Sequence, residues 1–142
     1  MTALDYLRRP EAIRREILRE QKRIGVLRGL SARLTARMQQ VSVRSSPDPA
    51  RLQSLMAEIV DGENEILRLQ EDLKQALADT AVYISLLPEE HLIRVLEARY
   101  LDGFGWEESA SRLGYSLTSV FRYHRQALLL LPPPPEDPEE SL

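Results

Sequence analysis

Apolar residues recur at alternating intervals of four and three along the first part of the chain, after Pro10. Glu20 and Ser31 fill the two positions where the stripe lacks an apolar side chain, and Leu30 makes the stripe wider. This spacing is typical of a helix in a coiled coil. We therefore predict a long helix from Pro10 to about Val41. Its apolar positions are Ile13, Ile17, Ile24, Leu27, Leu34, Met38 and Val41.

A second apolar stripe follows the polar segment SVRSSPDPA (Ser42–Ala50), whose two prolines predict a loop. The stripe predicts a second long helix, from about Ala50 to Leu87, which Asp61 and Gly62 interrupt. Two helices of this length with a short connection are typical of an antiparallel hairpin. Because the hairpin leaves part of its stripe uncovered, we expect the chain to form a homodimer or a larger homo-oligomer. The second stripe consists of Leu52, Leu55, Ile59, Ile66, Leu69, Leu73, Leu77, Ile84 and Leu87.

Three shorter helices are predicted after the hairpin. Pro88 and two glutamates suit the first turn of a helix, and the glycines of DGFG end it, which predicts a helix from Pro88 to Leu101. Two further helical patterns then flank a turn at Gly114 and Tyr115. The first covers Trp106–Leu113, and the second begins at Ser116. The inward positions of the Pro88 helix are Leu92, Ile93, Leu96 and Tyr100.

The last two helices have the features of a helix-turn-helix motif. Ala110 is a small residue where the helices cross, and Gly114 supplies the turn four residues later. Ser116 is a favoured residue for capping the second helix. Ser109 departs from the motif, because an aliphatic residue is usual at its position. The residues predicted to lock the second helix on the first are Leu113, Tyr115, Val120 and Tyr123.

The second helix of this motif carries a polar and basic outer side, with His124 nearby. Arginine binds guanine edges or phosphates, and hydroxyl groups at a helix start suit phosphate oxygens. Leu117 and Phe121 are expected to be exposed on the same helix. The pattern predicts DNA binding; the alternative is a helical hairpin whose arginines are only solvated. The polar outer residues are Thr118, Ser119, Arg122 and Arg125.

Charge is distributed unevenly along the chain, although the net charge is only −3. Residues 1–44 hold eleven Arg and Lys against four Asp and Glu, whereas residues 45–87 hold three against eight. Residues 132–142 hold four acids and no base. Nucleic-acid binding must therefore depend on local basic patches rather than on the whole molecule.

No composition or spacing points to an enzyme. The chain has no cysteine, and neither His91 nor His124 has the spacing of a metal-binding motif. Neighbouring glutamates on a helix diverge, so the Glu-Glu pairs are not acid/base pairs. We expect no catalytic residue, metal or cofactor. The absence of a signal peptide, a membrane span and cysteine favours the cytoplasm, with no membrane partner.

The segment LPEEHLIRVLEARYLDGFGWEESASRLGYSLTSVFRYHRQAL resembles the fourth region of bacterial sigma factors. It is still more similar to phage-encoded activators of late transcription of the RinA/ArpU type, from phages and prophages of Gram-positive bacteria. The similarity covers about Thr80–Leu131. It implies that the helix after the turn contacts promoter DNA and that RNA polymerase is a partner. The DNA-binding residues that it implies are Ser116, Leu117, Thr118, Ser119, Phe121, Arg122 and Arg125.

The sequence thus predicts an all-α protein with three parts. Residues 1–87 form a self-associating antiparallel hairpin, residues 88–131 a helix-turn-helix domain that binds double-stranded DNA, and residues 132–142 a disordered, acidic, proline-rich tail. The expected function is sequence-specific regulation of transcription, as a phage or prophage late-gene activator acting with host RNA polymerase. The alternatives are a DNA packaging protein resembling a small terminase subunit, and a protein-interaction module that binds RNA polymerase.

Overall fold

A computed structural model describes residues 1–40 and 49–135 of the chain. These residues form helices and connections, and no strand occurs among them. The all-α class and the order of a long hairpin followed by shorter C-terminal helices are confirmed. The helices are α1 (Ala3–Leu7), α2 (Arg9–Gln39), α3 (Pro49–Ile84), α4 (Glu90–Leu96), a π-helical segment (Glu97–Leu101), α5 (Trp106–Leu113) and α6 (Leu117–Leu130).

The long helices begin close to their predicted residues. The predicted end of the first at Val41 and most of the predicted loop lie outside the described residues. The second ends at Ile84, three residues before Leu87. The predicted interruption at Gly62 is wrong, because α3 continues through this residue. A Cβ atom there would lie 2.9 Å from Cγ1 of Ile24, so the glycine lets α2 and α3 approach closely.

The third predicted helix differs from the structure at both ends. It begins at Glu90 rather than at Pro88, with Glu89 as an N-cap in an extended conformation. Its last turn is a π-helix, in which the amide of Asp102 donates to the carbonyl oxygen of Glu97 over 2.9 Å. Such single π-turns occur inside helices where tertiary packing stabilises them, and local sequence does not reveal them.

Contacts divide the chain into two compact units. The hairpin unit (Arg14–Asp72) consists of the packed parts of α2 and α3. Ile24, Leu34 and Leu69 are its buried apolar residues, and Arg28 pairs with Glu63 across the two helices. Each helix buries only a narrow apolar strip in this pairing, since most side chains of the unit remain half-buried or exposed.

The terminal unit combines Met1–Ile13 with the described residues from Leu73 onward. A capping box at Thr2 and Asp5 begins α1, and this short helix places Leu7 in the core with no exposed area. The sequence predicts a boundary between the hairpin and the C-terminal domain after residue 87. In the structure, α1 and the last turns of α3 share a core with the later helices. This core consists of Tyr6, Leu7, Tyr83, Ile84, Leu87, Leu92, Leu96, Tyr100, Ala127 and Leu131.

The chain after α6 continues along this core before the described residues end at Pro135. Leu131 is buried, and the hydroxyl of Tyr83 donates to the carbonyl oxygen of Pro132 over 2.5 Å. The first residues of the predicted tail therefore contact the terminal unit, and the rest of that tail lies outside the described residues. Within residues 1–40 and 49–135, no helix has both the length and the apolar content that crossing a membrane requires.

Candidate nucleic-acid interface

The turn between α5 and α6 depends on Gly114. This glycine has a φ of 74°, in the left-handed region that residues with a Cβ rarely adopt, and its amide closes the end of α5. The amide of Tyr115 then donates to the carbonyl oxygen of Ala110 over 3.0 Å. The predicted turn is confirmed, and it reverses the chain within three residues between Leu113 and Leu117.

Ser116 caps the start of α6, as the sequence predicts. Its hydroxyl oxygen accepts a hydrogen bond from the amide of Ser119 over 3.1 Å, and its backbone is extended. The hydroxyl groups of the two serines also lie 2.9 Å apart. Both predicted DNA-contact serines therefore have partners within the helix start, and the cap fixes the direction in which α6 leaves the turn.

A small core locks α6 onto α5 and α4. Val120 has no exposed area and packs with Ala110 and Val95. Burial of a side chain of this size contributes about 1.5–3 kcal/mol. The predicted lock is confirmed, and Val95 of α4 is a further member that the sequence did not identify. The partly buried side chains around this core are Trp106, Leu113, Tyr115 and Tyr123.

The opposite side of α6 faces solvent and is called here the outer face. Of the seven predicted DNA-contact residues, Ser119 is half-buried and Ser116 is an exposed cap, so five remain on this face. The guanidinium of Arg122 lies 5.2 Å from the ring centroid of the neighbouring Tyr123. The outer face consists of Leu117, Thr118, Phe121, Arg122 and Arg125.

Two of these residues are apolar and lie beside the start of α5. Leu117 is 38% exposed and Phe121 is 42% exposed. The ring of Phe121 lies 5.2 Å from that of Trp106, and both apolar residues line an open depression that Glu107 and Glu108 also border. The expected exposure of Leu117 and Phe121 is confirmed.

No protein-family model, curated protein or solved structure matches this chain.

His124 belongs to the interior side of α6, not to its outer face. Its Nε2 lies 2.6 Å from the hydroxyl oxygen of Tyr100, and its ring contacts Trp106 edge-on at 4.7 Å. Burial, together with the nearby charges of Arg99 and Arg8, lowers the pKa of His124 to about 4. The imidazole is therefore neutral near pH 7, and it adds no positive charge to the outer face.

Two arginines that the sequence did not single out stack on aromatic rings near this site. The guanidinium of Arg99 lies 5.0 Å from the ring centroid of Trp106, and that of Arg112 lies 4.2 Å from the ring centroid of Phe104. Aromatic residues lie near both arginines in the sequence, but this proximity alone does not predict the stacking. The first contact links the π-helical segment to the start of α5, and the second links α5 to the segment before it.

Ser109 lies at a buried position where the motif usually has an aliphatic residue. It has no exposed area, and its hydroxyl lacks a hydrogen-bond partner. A buried hydroxyl without a partner costs about 1–3 kcal/mol, so an aliphatic residue would suit this position better. Within residues 1–40 and 49–135, no group of His, Asp and Glu side chains is arranged to hold a metal ion.

Proposed function

We propose that this protein is a sequence-specific DNA-binding regulator of transcription. One observation carries the proposal: a left-handed glycine turn joins α5 to a capped α6 whose inner side is locked by Val120 and whose outer face presents Arg122 and Arg125. A helix held in this way, with basic and polar side chains directed outward, suits insertion into the major groove.

The dimensions of α6 fit this role. The helix has 14 residues and is therefore about 21 Å long. The major groove, about 12 Å wide, admits one helix, and the N-terminal turns of a recognition helix come closest to the bases. Arg122 lies nearer that end than Arg125, so we assign base reading to Arg122 and a backbone contact to Arg125.

Self-association would raise the affinity of this single motif. Two copies present two motifs, and binding of the first raises the effective concentration of the second. The hairpin unit supplies a surface for this, because apolar side chains remain exposed along both of its helices. They include Leu18, Val26, Met56, Val60 and Leu67.

The biological setting of the proposal rests on the resemblance of Thr80–Leu131 to sigma region four and to activators of the RinA/ArpU type. By that resemblance, the protein acts in the cytoplasm on a late promoter of a phage or prophage, together with host RNA polymerase.

A protein-interaction module is the second candidate, and the depression beside Phe121 favours it. Leu117 and Phe121 are exposed apolar side chains, and Glu107 and Glu108 border them with negative charge. An exposed apolar patch with a charged rim is a common feature of protein-binding surfaces. RNA polymerase is the partner that the resemblance implies for this surface.

Selection from a library of random duplexes tests the first candidate against the second. The purified protein is incubated with the library, and bound duplexes are amplified and sequenced over several rounds. We expect one enriched sequence motif, and we expect it to vanish for the Arg122→Ala, Arg125→Ala double variant. Arg94→Ala, on the exposed side of α4, serves as the control and retains the motif.

The failure of this selection is informative as well. If no motif is enriched at any salt concentration, the proposed function is wrong and the protein-interaction candidate takes its place. Enrichment of a motif that lies at packaging sites rather than at promoters would replace transcription with DNA packaging.

A further inference from the structure

Three exposed side chains of α6 lie along one line on its surface. Leu117, Phe121 and Arg125 follow one another at intervals of four residues, so their side chains leave the same face of the helix. All three belong to the outer face. The apolar pair lies toward the start of α6, and the arginine lies one turn further on.

Neither residue of the apolar pair is folded into the core, and Phe121 packs on a neighbouring ring. The ring of Phe121 packs beside that of Trp106 at 5.2 Å, at an angle of 57° between the ring planes. Leu117 is the first residue of α6, directly after the cap at Ser116. The structure thus presents a small apolar surface at the end of the helix that approaches bases most closely in helix-turn-helix motifs.

We propose that Leu117 and Phe121 recognise the 5-methyl groups of thymine in the major groove. This inference rests on the proposed DNA-binding function. The thymine methyl is the one apolar group that base edges present in the major groove, and apolar side chains are its usual contacts. The chemical class of the ligand is therefore duplex DNA with thymine at one or two defined positions.

Charge favours DNA over a protein as the occupant of this surface. Arg125 continues the line of the apolar pair, and Arg122 lies on the neighbouring line of the same outer face. On the other border, Glu108 pairs with Arg112 at 3.2 Å, which balances part of the negative charge. Glu107 and Glu108 both lie in the first turn of α5 and repel phosphate, so the DNA backbone must approach from the side of Arg122 and Arg125.

Replacement of thymine by uracil tests the inference, because it removes the methyl group and leaves base pairing intact. Each thymine of the selected duplex is replaced in turn by deoxyuridine, and the Kd is measured for every duplex. We expect one or two positions to weaken binding about fourfold, the factor that corresponds to one methyl-sized apolar group. Replacements elsewhere leave the Kd unchanged.

Variants then connect the sensitive positions to the two residues. Leu117→Ala or Phe121→Ala should bind the thymine and uracil duplexes equally at the position that the residue contacts. Leu129→Ala is the matched control, since Leu129 is 80% exposed on α6 but lies at the far end of the helix. It should retain the fourfold preference. Circular dichroism checks that each variant remains helical.

The possible results separate this inference from the proposed function. A duplex that binds specifically but tolerates uracil at every position overturns the inference and leaves the DNA-binding function intact. A preference for thymine that both alanine variants retain also overturns it. Failure of the protein to select any sequence overturns the proposed function itself, and Leu117 and Phe121 then become candidates for contact with a protein.

Discussion

Gly114 occupies a backbone conformation that a residue with a side chain adopts only at a cost. Its φ is 74°, yet a Cβ atom added there would meet nothing within 4 Å. Gly114→Ala should therefore lower the free energy of unfolding by about 1–2 kcal/mol through backbone strain alone. Urea denaturation followed by circular dichroism measures this change.

Gly105→Ala is the matched control for this prediction. Gly105 also has open space around its Cα, but its φ of −66° is accessible to every residue. This variant should lose less stability than Gly114→Ala, because only the preference of the N-cap of α5 for glycine over alanine is changed. Equal stability of both variants would contradict the strain that we assign to the turn.

The half-buried His124 gives the protein a predictable response to acid. The pKa of His124 is lowered to about 4 in the folded chain from an ordinary value of 6.5. The unfolded chain thus binds this proton more readily, and the free energy of unfolding should fall as pH decreases from about 6.5 toward 4. Above that window, the contribution of His124 is constant.

His124→Gln isolates this contribution, because glutamine does not titrate and can still bond to Tyr100. Urea denaturation of both proteins at pH 7.0 and 5.0 should show a smaller loss of stability for the variant. Carboxylates that also titrate in this range are common to both proteins and cancel. A parallel loss in parent and variant would show that His124 is protonated as readily in the folded chain as in the unfolded one.

At the scale of elements, the glycines of the two long helices differ in role. Gly25 on α2 is exposed, and an added Cβ would meet nothing within 4 Å. Gly25→Ala should therefore stabilise the helix by about 1 kcal/mol, the difference in helix propensity. In α3, Gly62→Ala would bring a Cβ to 2.9 Å from Ile24 and should lower stability.

Thermal denaturation of the two variants at equal protein concentration measures the contrast. The melting temperature should rise for Gly25→Ala and fall for Gly62→Ala. If both substitutions raise the melting temperature, Gly62 is not required for the close approach of α2 and α3.

Local chemistry explains which elements the sequence predicts well. The bounds of α5 and the cap of α6 follow from Gly114 and Ser116, whose preferences act within one turn of the chain. The bond between Tyr100 and His124, by contrast, joins residues 24 positions apart. The outer face of α6 is predictable because helical periodicity separates it from Val120, whereas the neutral state of His124 requires knowledge of what covers it.

At the scale of the whole molecule, DNA binding should separate the roles of Arg122 and Arg125. Arg122→Ala should weaken the binding free energy for the selected duplex by about 1–3 kcal/mol. Its binding free energy for random DNA should change little. Arg125→Ala should weaken binding to both duplexes and reduce the slope of log K against log salt by about one unit. Titrations at several salt concentrations measure both quantities. Unaltered binding by both variants would show that α6 does not recognise the DNA sequence.

The proposed self-association can also be tested on the whole molecule. Ile24 is only 3% exposed in the hairpin unit, so Ile24→Asp would place a charge among apolar side chains and cost several kcal/mol. With Leu27→Asp added, light scattering should report monomers or unfolded chain. An oligomer of unchanged mass and helicity would exclude the hairpin as the associating element.

The burial of Leu7 has a consequence for how the protein is made. Its partners in the core begin at Tyr83 and extend to Leu131, so Leu7 lacks these partners until the later helices have left the ribosome. Synthesis proceeds at about 5–20 residues per second, which leaves Tyr6 and Leu7 uncovered for several seconds. Contacts between distant parts of a chain also form slowly. Chaperones that bind emerging apolar segments can therefore reach Tyr6 and Leu7 during this interval, and α4 and α6 reach their final packing only when α1 joins their core.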